Sequence, residues 1–201
     1  MLLQRVNLLL VSVFFAITVA CSDESQLGST SSNMPYFDLK GLLEQQVDML
    51  DSLNPEVQIA ALIGNERDEK VMQKDSTDWA ETLKLYAEAD LNKPVLRDQY
   101  LVSDSMLTET GNRLKIYQAK QPKEVDIPYM KVYYEDDLSQ VRKVETLFRE
   151  TNPLYSTQRQ MELRFANQDG MLRLLSFSAT GKQKMILRDS ILYQTDATIR
   201  Y

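Results

Sequence analysis

The sequence predicts an α+β fold: a curved antiparallel β-sheet of about seven to nine strands, a meander of hairpins, with two N-terminal-half helices packed on one face. Three observations predict it. Two segments before residue 99 place apolar residues at helical spacing. From Gln99 onward the apolar pattern changes to period two and stays there. Turn-forming stretches such as Thr110-Gly111-Asn112 and Asn167-Gln168-Asp169-Gly170 separate the alternating runs.

The first helix is predicted over Leu39–Leu53. Asp38 is placed to cap it, and Phe37 can pack on Leu42 as a hydrophobic staple. Leu39, Leu43, Val47 and Leu50 form a stripe that Leu42 and Leu53 widen, and Asn54-Pro55 stops the helix. Such a stripe predicts packing on a sheet; a helix that meets a partner or lipid is the alternative use. Glu56–Ile63 then reads as a strand, Gly64-Asn65 as a tight turn and Glu66–Gln73 as a polar return strand. A second helix is predicted to start near Thr77-Asp78, with Glu81 in the capping-box position relative to Asp78. Trp79, Leu83 and Tyr86 share one face, and Asn92-Lys93-Pro94 ends the run. Trp79 is expected as a core anchor rather than a platform for stacking a ligand.

The alternating half begins with strands over Tyr100–Ser105 and Arg113–Gln118. Tyr129–Glu135 points Met130, Val132 and Tyr134 one way; Asp136–Gln140 turns the chain and Val141–Arg149 returns it. Thr151-Asn152-Pro153 is expected to break the sheet path. Gln160–Ala166 then places Met161, Leu163 and Phe165 on one face, followed by Met171–Ala179, a turn at Thr180-Gly181, Gln183–Leu187, and a closing segment Ala197–Tyr201. The hairpins Val132–Val141 and Leu163–Leu172 look alike, each with an aromatic strand, an acidic turn and an aliphatic strand.

The first twenty residues follow a different logic. One positive charge, Arg5, precedes an apolar run from Leu8 to Ala20 that only Ser12 and Thr18 interrupt. This is the pattern of a secretory signal. At about 1.5 Å per residue the run reaches roughly 20 Å, short of the roughly 30 Å hydrocarbon layer. Cys21, the one cysteine in the chain, follows immediately.

Thr18-Val19-Ala20-Cys21 resembles the lipobox of bacterial lipoprotein precursors, departing from it at Thr18, where Leu, Val or Ile is usual. The resemblance implies that Cys21 receives a diacylglyceryl group, becomes the new N-terminus and is acylated. One acyl chain holds only marginally, whereas several attach a protein to a bilayer for good. An ordinary signal peptide with a chance cysteine is the alternative. Ser22-Asp23-Glu24-Ser25 resembles the surface-export signal of Bacteroidota lipoproteins, with a solvated acidic spacer as the plain alternative. Gln26–Asn33 reads as a flexible polar tether. The organisation expected is therefore a signal peptide over 1–20, a lipidated cysteine and tether over 21–35, and one α+β domain over 36–201.

Composition excludes much chemistry. The chain has no histidine, and its single cysteine is assigned to the anchor. That excludes His-based acid–base catalysis, cysteine nucleophiles, the Ser-His-Asp triad, and zinc, copper or haem sites built on imidazole or thiolate. Losing residues 1–20 removes one of 23 basic residues and none of 29 acidic ones, a net charge of −7 without any basic run. Nucleic acid is therefore not expected as a partner. Asp136-Asp137 and Asp68-Glu69 are adjacent acids read as turn residues, and no calcium loop, phosphate cradle or nucleophile motif appears. No cofactor, metal or catalytic residue is assigned.

The predicted outline is similar in architecture to the half-barrel lipoprotein carriers of the periplasm, in which helices plug a curved sheet. The region that includes Tyr36-Phe37-Asp38-Leu39-Lys40 and Asp90-Leu91-Asn92-Lys93-Pro94 resembles Bacteroidota outer-membrane lipoproteins of about this size, which bring no known activity with them. The expectation is a non-enzymatic binding or structural lipoprotein, anchored in the outer membrane and facing the periplasm or the cell surface. Its partners are the membrane itself and an envelope protein or lipid of unknown identity. A carrier holding an acyl chain between sheet and helices is the second reading, motivated by nine methionines. A carboxylate-dependent glycosidase is the third; it needs two acids about 5–10 Å apart in a cleft.

Overall fold

The computed structural model describes residues 34–107 and 111–201. Its elements in chain order are α1 (Leu39–Leu53), β1 (Glu56–Ile63), β2 (Glu66–Gln73), α2 (Ser76–Ala87), β3 (Tyr100–Met106), β4 (Arg113–Ala119), β5 (Tyr129–Tyr134), β6 (Val141–Thr151), β7 (Tyr155–Gln168), β8 (Met171–Met185) and β9 (Ile191–Arg200). The nine strands form one antiparallel sheet in the order β2-β1-β9-β8-β7-β6-β5-β4-β3. The expected α+β architecture is correct: a meander from β3 to β9, two helices in the N-terminal half, and a sheet that stays open at β2 and β3.

The helices form where the periodicity places them. Asp38 accepts the Gly41 N–H at 2.8 Å, and Asn54 ends α1 in the left-handed region at φ 43°, ψ 52°. Leu39, Leu43 and Leu50 are buried, and so is Gln46, which the sequence reading left out. Gln46 clamps α1 to β8: its amide donates to Leu172 O at 2.9 Å and its carbonyl accepts from Leu174 N at 2.8 Å. Helix α2 starts earlier than expected. Its cap is Asp75, which accepts from Asp78 N at 2.9 Å, so Asp78 lies inside the first turn instead of capping it. Trp79, Leu83 and Tyr86 are buried, Tyr86 edge-on to Phe177 at 5.6 Å, and Arg159 of β7 pairs with Glu88 at 2.6 Å.

The loop after α2 clasps the entry to α1. Asn92 Oδ1 accepts from Tyr36 N at 3.2 Å, and its amide donates to Phe37 O at 3.1 Å. Asp90, almost wholly buried, accepts from Lys40 N at 3.4 Å and from Asn92 N at 3.0 Å. The Tyr36 ring packs edge-on against Tyr100 at 5.3 Å and Tyr117 at 5.9 Å. The two short segments that carried the sequence resemblance thus meet in space and fix where the domain begins on the sheet.

Three strand expectations are corrected. Thr151-Asn152-Pro153 does not break the sheet. Asn152 Oδ1 accepts from Leu154 N at 2.9 Å and Tyr155 N at 3.0 Å, making a turn that joins β6 directly to β7. Thr180-Gly181 is not a turn, because β8 runs through it. Gly181 is there to admit the ring of the cross-strand Tyr193, which occupies the space of a Cβ, with Gln158 O only 2.8 Å from that point. The closing segment is longer than expected and interior. As β9 it lies between β8 and β1, pairing Ala197 with Phe177 on one side and Ile59 on the other. At Asp169-Gly170, by contrast, the turn is as predicted, with φ 55° and 77° at its two residues, as a mirror-image hairpin turn requires.

Candidate functional site

Pleating assigns each residue of the sheet to a face. One face carries Met130, Val132, Val144, Met161, Leu163, Phe177 and Ala179, all buried beneath the helices or against them. The helix-layer space is filled by side chains of the chain itself, including Leu39, Leu50, Trp79, Leu83 and Leu91. The methionines do not gather around one space: Met130 and Met161 are in the core, whereas Met72, Met106, Met171 and Met185 are exposed. Trp79 is fully buried, a core residue as expected.

The other face carries no helix, and its two ends differ. Toward the β5–β6 turn it holds a ladder of paired charges. Register aligns Tyr133 with Lys143 and Lys143 with Arg164, and one step along Lys131 with Glu145 and Glu145 with Glu162. Lys143 reaches Glu145 at 2.6 Å and Glu162 at 4.0 Å, Arg164 reaches Glu162 at 2.6 Å, and the Tyr133 hydroxyl donates to Glu145 at 3.1 Å. Lys143 Nζ also lies 4.1 Å from the centre of the Tyr133 ring. Burial works against the Glu145 carboxylate. The hydrogen bond and charge of Lys143, together with the Tyr133 hydroxyl, outweigh it and hold the carboxyl below its ordinary range. Burial, with Glu145 next in effect, pushes the Tyr133 hydroxyl up to about 12.

The opposite end of this face is a groove of about 540 Å³ across β6, β7, β8 and β9. Three registered rows build it. Leu147 pairs with Gln160 and Gln160 with Thr180; Arg149 with Gln158, Lys182 and then Leu192; Thr151 with Ser156 and then Lys184. Alternation therefore brings Arg149, Lys182 and Lys184 to one surface with the amides of Gln158 and Gln160 and the Thr180 hydroxyl. No carboxylate lines it, and neither Lys182 nor Lys184 has an ion-pair partner among the described residues. Arg149 is held in place rather than neutralised: its guanidinium donates to the uncharged Pro122 carbonyl, and its backbone N–H donates to Asp126 O at 2.7 Å. Three cations with free hydrogen-bonding capacity, next to neutral donors and acceptors, can bind anions.

The acidic pairs do not join this groove. Asp137 is tied to its own turn, accepting from Ser139 N at 2.7 Å and Ser139 Oγ at 2.5 Å, bonds that lower its pKa. Asp68 and Glu69 lie in β2 rather than in a turn, opposite Ala61 and Ala60, with Lys70 at 3.1 Å from Asp68. Among the described residues no group of three or more acids could hold a metal ion, and no helix is long and apolar enough to cross a membrane. Cys21 and the lipobox residues Thr18, Val19 and Ala20 lie outside the described residues.

Sequence reasoning missed the groove. The signal available was Thr180-x-Lys182-x-Lys184, three polar residues at period two, but the turn expected at Gly181 divided them between two elements. By fold and site the chain is an open nine-stranded α+β sheet protein with helices on one face and a cationic groove on the other. No family model, no curated protein and no solved structure matches it.

Proposed function

We propose that this chain is a lipid-anchored, non-enzymatic binding lipoprotein of the outer membrane, facing the periplasm or the cell surface, and that its groove takes an anionic ligand. The observation that supports the binding reading is the groove itself: Arg149, Lys182 and Lys184 stand together without a carboxylate in a chain of net charge −6. Cations are normally dispersed among acids on such a surface, as the neighbouring ladder illustrates, so an unneutralised cluster is a binding feature. The lipobox-like Thr18-Val19-Ala20-Cys21 supports the anchor. Ligand contact belongs to the helix-free face because the space between helices and sheet is occupied by the core.

Two measurements test this reading. Cys21→Ala should abolish palmitate labelling and release the protein from membranes; unchanged fractionation would refute the anchor. Titration with dextran sulfate, against neutral dextran as control, should give salt-sensitive binding that Lys182→Ala with Lys184→Ala weakens. Equal binding of both polymers would refute the groove.

A further inference from the structure

The groove opens onto a rim of exposed apolar side chains. Leu154, Ile186, Leu187, Ile191 and Leu192 are 67%, 60%, 98%, 46% and 62% exposed, and Ile63 is 60% exposed. They come from three turns brought side by side: Ile186 N donates to Leu154 O at 2.9 Å, and Gly64 N donates to Leu192 O at 2.8 Å. Leu187 is held out with φ 61°, a conformation an L-residue adopts only at some strain. A contiguous apolar edge of this kind marks an interaction surface. Lys182, Lys184, Arg149 and Arg188 lie along it, against the nearby acids Asp189, Glu150 and Glu66. Glu150 already accepts the Tyr155 hydroxyl at 2.5 Å.

The position of the rim is equally specific. Register carries one row from Tyr100 and Ala119 across the sheet to Gly181, Tyr193 and Ile63. Tyr36, near the beginning of the described chain, packs on Tyr100. The chain therefore enters the domain at the same end of the sheet as the rim.

We infer that this end of the sheet is a docking surface for an anionic bilayer, with Ile186, Leu187 and Leu154 entering the interface and the groove cations meeting lipid phosphates. The inference rests on the anion-binding reading of the groove and names its partner. Apolar side chains at the interface with cations just behind them is the arrangement that binds anionic lipid surfaces. An anchor on Cys21 would be joined to the domain through this same end.

The lipidated full chain carrying Leu187→Cys, labelled with an environment-sensitive fluorophore and placed in phosphatidylglycerol vesicles, tests it. The parent chain takes no dye where Cys21 is acylated. If the parent does take dye, the anchor reading fails, and the label at position 187 in a Cys21→Ala background still tests the rim. The expected result is a blue shift and quenching by spin-labelled lipid at position 187 but not at Asp136→Cys, a turn at the opposite end. In phosphatidylcholine vesicles, or with Lys182→Glu and Lys184→Glu, the response should weaken roughly tenfold. A label at 187 as wet as one at 136, or an equal response in phosphatidylcholine, overturns the inference. So does a blue shift without lipid quenching in a sample of doubled mass, which assigns the rim to a second copy. Retained dextran sulfate binding would then leave the groove reading standing, whereas loss of both removes it.

Discussion

The two ends of the helix-free face use the same residue types for opposite purposes. In the ladder, Lys143 and Arg164 are satisfied at 2.6 Å by Glu145 and Glu162, each two residues away on its own strand, and Lys143 also reaches Glu162 across the strand boundary at 4.0 Å. In the groove, Arg149, Lys182 and Lys184 face glutamines, threonine and leucine instead. The ladder therefore neutralises its charges internally, with Tyr133–Glu145 and Lys143–Glu162 crossing between strands, while the groove retains its potential for something outside the chain. The neighbours on the same face, two residues along the strand and one strand across, make the difference, since every one of these side chains comes from an ordinary alternating strand.

The strongest test of that contrast reverses the groove charges. Lys182→Glu with Lys184→Glu should lower dextran sulfate affinity by roughly 10- to 100-fold at low salt. Stability should stay within about 0.5 kcal/mol, because these side chains have no ion-pair partner among the described residues. Denaturant melts and binding isotherms on the same variant decide it, and a large stability loss with intact binding would break the comparison.

Gly181→Ala probes the groove floor. Its Cβ would meet the Tyr193 ring and the Gln158 carbonyl, so we expect a loss of about 1–3 kcal/mol in denaturant unfolding with weakened polyanion binding. Combining it with Tyr193→Ala, which vacates that space, should recover part of the loss. On the ladder side, Lys143→Met should cost about 1 kcal/mol by leaving the half-buried Glu145 short of a partner, and should leave dextran sulfate binding unchanged.

The smallest effect is in pH dependence. Because Glu145 titrates below its ordinary value of 4.5 in the folded chain, its contribution is fully present above that pH and is lost as pH falls through the folded value. Lys143→Met should therefore flatten the acid limb of a stability–pH curve, and the groove variants should not. The alkaline limb reports a different region. Burial raises the Tyr117 hydroxyl to about 12, so its contribution persists below pH 10 and is lost as pH rises through the folded value. Spectroscopic titration of tyrosinate alongside circular dichroism checks this.

Much of the fold was legible because it is local. The stripe Leu39–Leu43–Leu50, the alternation Met130–Val132–Tyr134 and the Asp169-Gly170 turn each state their conformation within a few residues, by helical spacing, pleat and backbone sterics. The errors fell where a residue answers to a distant neighbour. Gly181 resembles a turn glycine until Tyr193 is placed across from it; Asn152-Pro153 is the exception, a local turn closed by Asn152 on Leu154 and Tyr155. Gln46 resembles a surface amide until β8 supplies Leu172 and Leu174.

By itself, the sequence determined the class of the fold, the two helices, most hairpins and the residue types the chain lacks, because residue inventory and periodicity require no knowledge of what lies alongside. Tertiary structure alone decided that β1 would pair with β9, that Arg149, Lys182 and Lys184 would converge, and that their apolar rim would share an end with Tyr36. Register between strands far apart in the chain sets which side chains become neighbours, and no local pattern encodes that register.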